Sequence, residues 1–444
     1  MTLADRRVVA LILVAVAAAY ANAIPAGFQF DDYNVIVDNP AVHDAGAWFA
    51  SMPGIRALLK LSYMLNWISG LGAPGFHVVN LLLHMLNTLL VYGMMHAVLL
   101  MPALHARNDA GPGPAPIAAG IALLFALHPA QTEAVSYISG RSVSMMSAFY
   151  LGAALIWLRA AHDRRAQGLS AVLFACALLT RETAWTLPPA LLLLARAGGT
   201  PWTAAFRALR MHGVVLALFA AAVLSIQGYR RLLIDSISVR TLGDNLLTQI
   251  EGVCYLLGTP LLRLRLNIDP DLAAQSAVSS VLAAKGLLLL ALIAAGFALF
   301  RRRLALACAL LWTFLHLLPT NSVLPRLDVA NDRQLYLAMI GPSWIVVCFL
   351  SRALRARVAL ATFALLALLL VVQTSLRNRD YRDEVSLWLA TVAASPGKPR
   401  AWNNLGYAYR LSGDAGAART AFETALALDP SFDKARHNLD AMKL

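Results

Sequence analysis

Residues 280–318 read SVLAAKGLLLLALIAAGFALFRRRLALACALLWTFLHLL. Two apolar runs flank Arg301, Arg302 and Arg303. A bilayer's hydrocarbon core asks for roughly 20 consecutive apolar residues per helix, and a basic cluster between two such runs marks a cytoplasmic turn. Similar windows lie near 8–25, 77–100, 116–128, 143–160, 169–180, 184–196, 212–227, 335–350 and 358–373. Composition points the same way: of 444 residues 59% are hydrophobic and 14% charged, with mean hydropathy +0.63. A soluble domain carries about a quarter charged residues, so a water-soluble globule is excluded, and disorder with it. The expected fold is all-α: a polytopic membrane protein of about eleven spans.

The arginines orient it. Clusters occur at Arg6 and Arg7, at Arg159, Arg164 and Arg165, at Arg196, Arg207 and Arg210, at Arg301–Arg303, and at Arg352, Arg355 and Arg357. With eleven spans and a cytoplasmic N-terminus, all five fall on one side. Loops 26–75, 129–142, 228–279 and 319–334, and everything beyond about 375, then share the opposite face. Residues 8–23 followed by Ala21-Asn22-Ala23 also resemble a cleavable secretory signal; retention as a helix is the preferred reading. The stretch 246–262 carries Glu251 and reads as interfacial or re-entrant. Net charge is +13, nearly all of the cation arginine, which on a membrane protein points to basic loops and anionic lipids or substrates, not nucleic acid. Cys176, Cys254, Cys308 and Cys348 lie in apolar stretches without metal or disulfide spacing.

The chain divides into a multispanning domain, 1–375, and an exported tail, 376–444. In the tail Trp402, Leu405, Gly406, Tyr409, Ala418, Phe422, Ala425 and Pro430 occupy the tetratricopeptide positions, defining a full repeat over 399–432. Trp388, Thr391 and Pro396 suggest a half repeat at 383–395, and 433–443 a capping helix. So short an array needs support from the membrane domain or a partner. Asn403 and Asn404 face the groove, where they would bind a peptide backbone or join helices to each other.

Candidate chemistry clusters on the exported face. Asp31 and Asp32 follow the first span; mutual repulsion and desolvation raise carboxyl pKa values there. Glu133 and Arg141 sit in a short turn, as do Arg181 and Glu182, and each needs a partner. Tyr229-Arg230-Arg231, Arg263 to Asp269, and Asn331 to Leu337 with Arg333 and Tyr336 complete the face. Arginine suits phosphate because its fork donates two parallel hydrogen bonds. Carboxylates and arginines beside lipid fit an enzyme using an anionic, membrane-embedded donor. His77, Asn80 and His84 share one helix face and read as interhelical hydrogen-bonding residues in preference to metal ligands.

The series Phe30-Asp31-Asp32-Tyr33, Gly75 to His84, His128-Pro129 with Thr132-Glu133-Ala134-Val135 and Gly140-Arg141, Arg181-Glu182, Leu266 to Asp269, and Asp332 to Leu337 resembles the transmembrane and tetratricopeptide-repeat glycosyltransferases. That family belongs to the GT-C superfamily. The resemblance implies an active site at the exported face, a polyprenyl-phosphate sugar donor and an essential acid in the first exported loop. Eukaryotic members transfer mannose to Ser or Thr of secretory proteins. This chain departs in its short repeat array, in Asp332-Arg333-Gln334 and in Arg56-Ala57-Leu58, which bear on sugar and acceptor identity.

The expected function is therefore an inverting glycosyltransferase moving mannose or a similar hexose from a polyprenyl phosphate to an acceptor hydroxyl on an exported protein or glycan. Asp31 or Asp32 would be the base, with Glu133 positioning. Arg141, Arg230, Arg231 and Arg333 would hold the donor phosphate. His77, His128, Arg181, Glu182, Asp269, Tyr336 and Asn404 would face the acceptor or serve structure. No cofactor is required; a divalent ion on Asp31, Asp32 and Glu133 is the alternative. Sparse lysine suggests a bacterial inner membrane. The competing readings are a lipid-linked sugar flippase and an inactive scaffold presenting the repeat.

Overall fold

The computed structural model describes residues 3–105, 113–160, 163–262 and 266–442. Arg263, Arg265 and Lys443 lie outside the described residues. All regular elements within them are helical. Five helical stretches are long and apolar enough to cross a membrane: Arg6–Ala23, Gly72–Leu99, Ile138–Ala160, Ser280–Arg301 and Ala356–Tyr381. Three bent pairs, Pro114–Leu127 with Pro129–Val135, Trp202–Ala208 with Arg210–Ser225, and Asp332–Ala338 with Ile340–Ala353, raise the number to at most eight. The expected eleven is corrected accordingly. Three apolar windows became helices too short to qualify: Arg164–Thr180 of 17 residues, Leu187–Ala197 of 11 and Leu304–Leu317 of 14. Leu242–Leu262 is one continuous helix outside the candidate spans, and its Glu251 pairs with Lys285 at 2.5 Å.

Packing follows membrane rules, with small residues at close approaches and polar side chains joining helices. A Cβ on Gly341 would sit 2.4 Å from the Ala309 carbonyl oxygen. Asn87 donates to the Ser144 carbonyl at 2.7 Å and to the Tyr336 hydroxyl at 2.9 Å. The first helix, Leu3–Tyr20, buries Ile12, Val16 and Ala19 in the main core. Leu287, Leu290, Phe297, Leu360 and Leu368 stay exposed on outer faces, as a lipid-facing surface requires.

The loops expected to share a face do meet at one end of the bundle. Arg56 reaches Glu182, Asp32 reaches Ser139, and Glu133 reaches Arg333. The tail closes over that end. Its helices Glu384–Ala394, Pro399–Leu411, Ala415–Leu428 and Asp433–Asp440 stack in order. At Gly406 a Cβ would lie 2.7 Å from the Phe422 ring, which is why that position is glycine. Support comes from the bundle, as so short an array demands. Tyr137 and Ile268 join Leu387, Trp388, Val392 and Leu405 in one cluster. Asp269 pairs with Lys398 and Arg400, and Asn267 donates to Ser395 at 2.6 Å.

Candidate active site

The segment after the first helix begins with strained backbone. Phe30 has φ of 46° and Arg56, later in the same loop, 54°. Among the described residues these are the non-glycine positions in the left-handed region. Such conformations cost about 1–3 kcal/mol and persist where the surroundings impose them, often at functional sites. Here the Phe30 ring packs edge-on against Trp388 of the tail, centroids 5.0 Å apart. The Arg56 amide donates to the Tyr229 hydroxyl at 3.2 Å.

Beyond Phe30 the two acids part. Asp32 is buried and accepts from the Gln29 amide at 3.0 Å, the Ser139 amide at 2.8 Å and the Ser139 hydroxyl. Burial pushes its carboxyl up to about 7, against the pull of the Ser139 and Gln29 hydrogen bonds and with a small push from Asp31. Asp31 differs. Its backbone amide donates to the Tyr137 hydroxyl at 2.9 Å. Its carboxylate is half-buried, has no hydrogen-bond or ion-pair partner among the described residues, and lies close enough to Tyr137 and Arg333 to interact electrostatically with both.

Glu133 is buried. It accepts from the Arg333 amide at 3.1 Å and pairs with the Arg333 guanidinium at 3.4 Å. Gly140 lets the two arms of this turn touch: a Cβ there would fall 2.3 Å from the Glu133 carbonyl oxygen. Arg333 lines two clefts. One is bounded by Arg181, Thr183, His316 and Leu337, the other by Phe30, Tyr137, Asp328 and Trp388.

Guanidinium groups crowd the first cleft. Arg56 forks onto Glu182 with bonds of 2.8–3.2 Å. Burial alone would push Glu182 up, but Arg56 overrides it and holds the carboxyl below its ordinary value. Arg181 donates to the Ser142 hydroxyl at 2.7 Å and has no carboxylate partner among the described residues. Arg326 has no side-chain hydrogen bond or ion pair among them either; burial and then Arg333 lower it to about 10. Burial, with Arg56 and Arg333 nearby, lowers Arg181 as well. Asp328, the nearest further acid, is spent on Arg400 at 2.5 Å, which holds it below the usual carboxylate range despite burial. Arg181 and Arg333 on the walls of this cleft, with Arg326 close to both and without an ion pair of its own among the described residues, make a site for an anion.

Several expected assignments change. Arg141 is not available to a phosphate. It is fully buried, donating to Asn80 and Asn66 at 2.7 Å and to the Ser62 and Phe76 carbonyls, between the rings of Tyr63 and Phe76. Arg230 and Arg231 are exposed on the helix Gln227–Ser238, and their neighbour Tyr229 is the residue that turns inward. Asp31, Asp32 and Glu133 do not converge as ligands, since Asp32 is spent on Ser139 and Glu133 on Arg333. Among the described residues no three His, Cys, Asp or Glu side chains group to hold a metal. His84 bonds the Tyr336 hydroxyl at 2.8 Å and the Ala126 carbonyl at 3.0 Å, so both it and Tyr336 join helices. His77 is buried, and the His128 ring accepts from the Ala130 amide at 3.1 Å as a cap. Asp269 docks the tail. Asn404 accepts from Asn403 at 3.2 Å, and Asn403 in turn accepts from Asn438 of the last helix, so the groove side of the repeat is occupied by its own cap.

Arg326, Asp328, Arg400 and Ser139 were not singled out from the sequence, and Trp388 was read only as a repeat position. Arg326 and Asp328 stand in loop 319–334, already assigned to this face, and charged residues there were signal enough. The Ser139 and Trp388 contacts span 107 residues and a domain boundary, and no local pattern announces them.

The tetratricopeptide repeat family matches residues 399–432. Protein O-mannosyl-transferase Tmtc2 of Drosophila melanogaster is 34% identical over 192 residues, covering 38% of this chain and 19% of the fly protein. Drosophila Tmtc3, also named a protein O-mannosyl-transferase, is 25% identical over 514 residues, covering 94% of this chain and 54% of its own length. A Caenorhabditis elegans protein O-mannosyl-transferase is 24% identical over 453 residues, 94% of this chain and 62% of the worm protein. The matches thus reach from about a fifth to under two thirds of the curated relatives. No solved structure matches. The chain is similar to protein O-mannosyl-transferases along nearly its whole length and carries a tetratricopeptide repeat at its end.

Proposed function

We propose that the chain is an integral-membrane glycosyltransferase that moves mannose or a similar hexose from a polyprenyl phosphate to a Ser or Thr hydroxyl of an exported protein. One observation carries the reading: an unpartnered carboxylate, Asp31, interacts electrostatically with Arg333, which lines a cleft together with Arg181, a guanidinium without an ion pair among the described residues. The relatives' names supply the reaction class, and the polyprenyl donor is the anionic, lipid-borne sugar that such a pocket at the membrane rim would take.

In the proposed step the acceptor oxygen forms a bond to the anomeric carbon, and the bond from that carbon to the phosphate oxygen breaks. The hydroxyl proton passes to Asp31 and the electron pair leaves on the polyprenyl phosphate. A positioned base contributes about 10²–10⁴-fold. Arg181 and Arg333, which line the first cleft, with Arg326 nearby, stabilise the departing charge, so no separate acid is needed. Asp32 and Ser139 fix the loop, and Glu133 holds Arg333. A single displacement inverts the sugar. The setting that fits is a bacterial inner membrane with the N-terminus cytoplasmic and this end of the bundle outside.

Purified protein supplied with polyprenyl-phosphate mannose and Ser/Thr peptides tests the reading. Mass spectrometry should show one added hexose on a hydroxyl residue, of anomeric configuration opposite to the donor. Absence of transfer across hexose donors and acceptors, by protein shown to be folded, would overturn it.

A further inference from the structure

At 12 residues, with Arg230, Arg231 and Asp235 among them, the helix Gln227–Ser238 is too short and too polar to cross a bilayer. It follows the bent pair Trp202–Ala208 and Arg210–Ser225, which together are long and apolar enough to do so. Ile226, with φ of −80° and ψ of 120°, breaks the chain between them, so the new helix starts at the membrane rim. One of its faces is spent on the protein. Tyr229 is buried, and Leu233 and Ser236 (i+4 and i+7 from it) are half-buried. Tyr229 accepts from the Arg56 amide, Ser236 donates to the Pro325 carbonyl, and Arg240, just past the helix end, donates to the Arg326 carbonyl. The helix therefore braces the two loops that bring Arg56 and Arg326 to the anion site.

Its outward surface divides along the helical period. Arg230, Ile234 and Ile237 (i, i+4, i+7) form one stripe, and Arg231, Asp235 and Ser238 the next; all are exposed. Ile234 is 62% and Ile237 57% exposed. Aliphatic side chains standing that far out of the protein, beside a polar stripe on a short helix, are the pattern of a helix lying in a membrane interface. The end of the preceding helix exposes Leu224 to a similar degree, and the lipid that covers Leu224 reaches the stripe. Charge agrees: Arg230 shares the apolar stripe, so its stem lies along it while the guanidinium reaches a headgroup phosphate. We infer that Gln227–Ser238 is a membrane-docking surface that lies in the plane of the bilayer, with Ile234 and Ile237 among the acyl chains and Arg230 on a phospholipid phosphate. Through Tyr229, Ser236 and Arg240 that contact holds the rim of the anion site at headgroup level, where a lipid-borne phosphate travels.

The test is nitroxide accessibility in the full chain, reconstituted into vesicles of phosphatidylethanolamine and phosphatidylglycerol. Labels enter one at a time through Ile234→Cys, Ile237→Cys, Asp235→Cys or Ser238→Cys, with Cys176, Cys254, Cys308 and Cys348 replaced by alanine. The labels at 234 and 237 should collide more with oxygen, which concentrates in lipid, than with a water-soluble nickel chelate. Those at 235 and 238 should show the reverse. Preference for nickel at every position would put the helix in water and overturn the docking surface. Protection of 234 and 237 from both reagents would put a second copy on the stripe and overturn it equally. A benzophenone side chain in place of Ile234, in the otherwise native chain, reads the same surface without removing cysteines: photo-adducts with phospholipid are expected, and adducts with protein alone, or none, contradict it. No sugar transfer enters either readout, so failure here leaves the reaction proposed above standing.

Discussion

The positive φ at Phe30 precedes two carboxylates that the sequence presents alike and the structure treats differently. Asp32 faces inward onto Ser139, where three donors fix it; Asp31 has no hydrogen-bond or ion-pair partner among the described residues. For Asp32 the folded state raises the carboxyl to about 7, above its unfolded value, so the native protein holds this proton more tightly. Its contribution to stability is then greatest below pH 4, declines as pH rises through about 4–7 and is flat above. Thermal unfolding of Asp32→Asn across pH 4–8 should lack that decline. Arg326 allows a second prediction at this scale. Burial and Arg333 outweigh the attraction of Asp328 and Glu133, so its charge destabilises the empty protein. Arg326→Gln should raise the melting temperature in detergent while lowering transfer by about ten- to a hundredfold, the worth of a charge-assisted hydrogen bond. Asp31 and Asp32 were legible as candidates because two adjacent acids at a span's end are costly. Which one is free was not legible, because Ser139 arrives from more than a hundred residues away. Arg141 misled for a related reason: a lone arginine in a short turn reads as ligand-binding, and its actual partners Asn66 and Asn80 lie on two other helices.

Between residue and domain, the turn from Pro129 to Gly140 sets the geometry, since it carries Glu133, Tyr137 and Ser139 together. Gly140 is what allows its return. Gly140→Ala places a methyl 2.3 Å from the Glu133 carbonyl oxygen, and the backbone must move. The expected outcome is a stability loss of about 1–3 kcal/mol with transfer reduced further than stability alone explains, read from denaturation and initial rates on the same preparation. Most of the long helices were readable from apolar runs, but Ala57–Ile68 and Gln227–Ser238 lie in stretches expected to be loops. Span number was not readable, because an apolar window does not fix how long its helix will be, and Leu187–Ala197 and Leu304–Leu317 are too short to cross by themselves. The repeat was the most legible element of all: its large and small residues are fixed by two helices packing on each other, a local constraint.

Across the whole molecule, the loops that the arginine pattern had grouped meet at one end, although the candidate spans among the described residues number five to eight and not eleven. The tail and bundle act as one body through the Asp269, Asp328, Lys398 and Arg400 group. Asp269→Ala leaves two cations facing each other and should cost roughly 2 kcal/mol, between the ranges for exposed and buried pairs. Limited proteolysis in the 394–399 linker checks this, with faster cleavage than wild type expected. The central claim, however, is that Asp31 takes the acceptor proton. The most direct measurement is the single-turnover rate of sugar transfer from polyprenyl-phosphate mannose by Asp31→Asn, at matched folded fraction with wild type. The account predicts a loss of about 10²–10⁴-fold with donor binding retained; a wild-type rate in Asp31→Asn would contradict it.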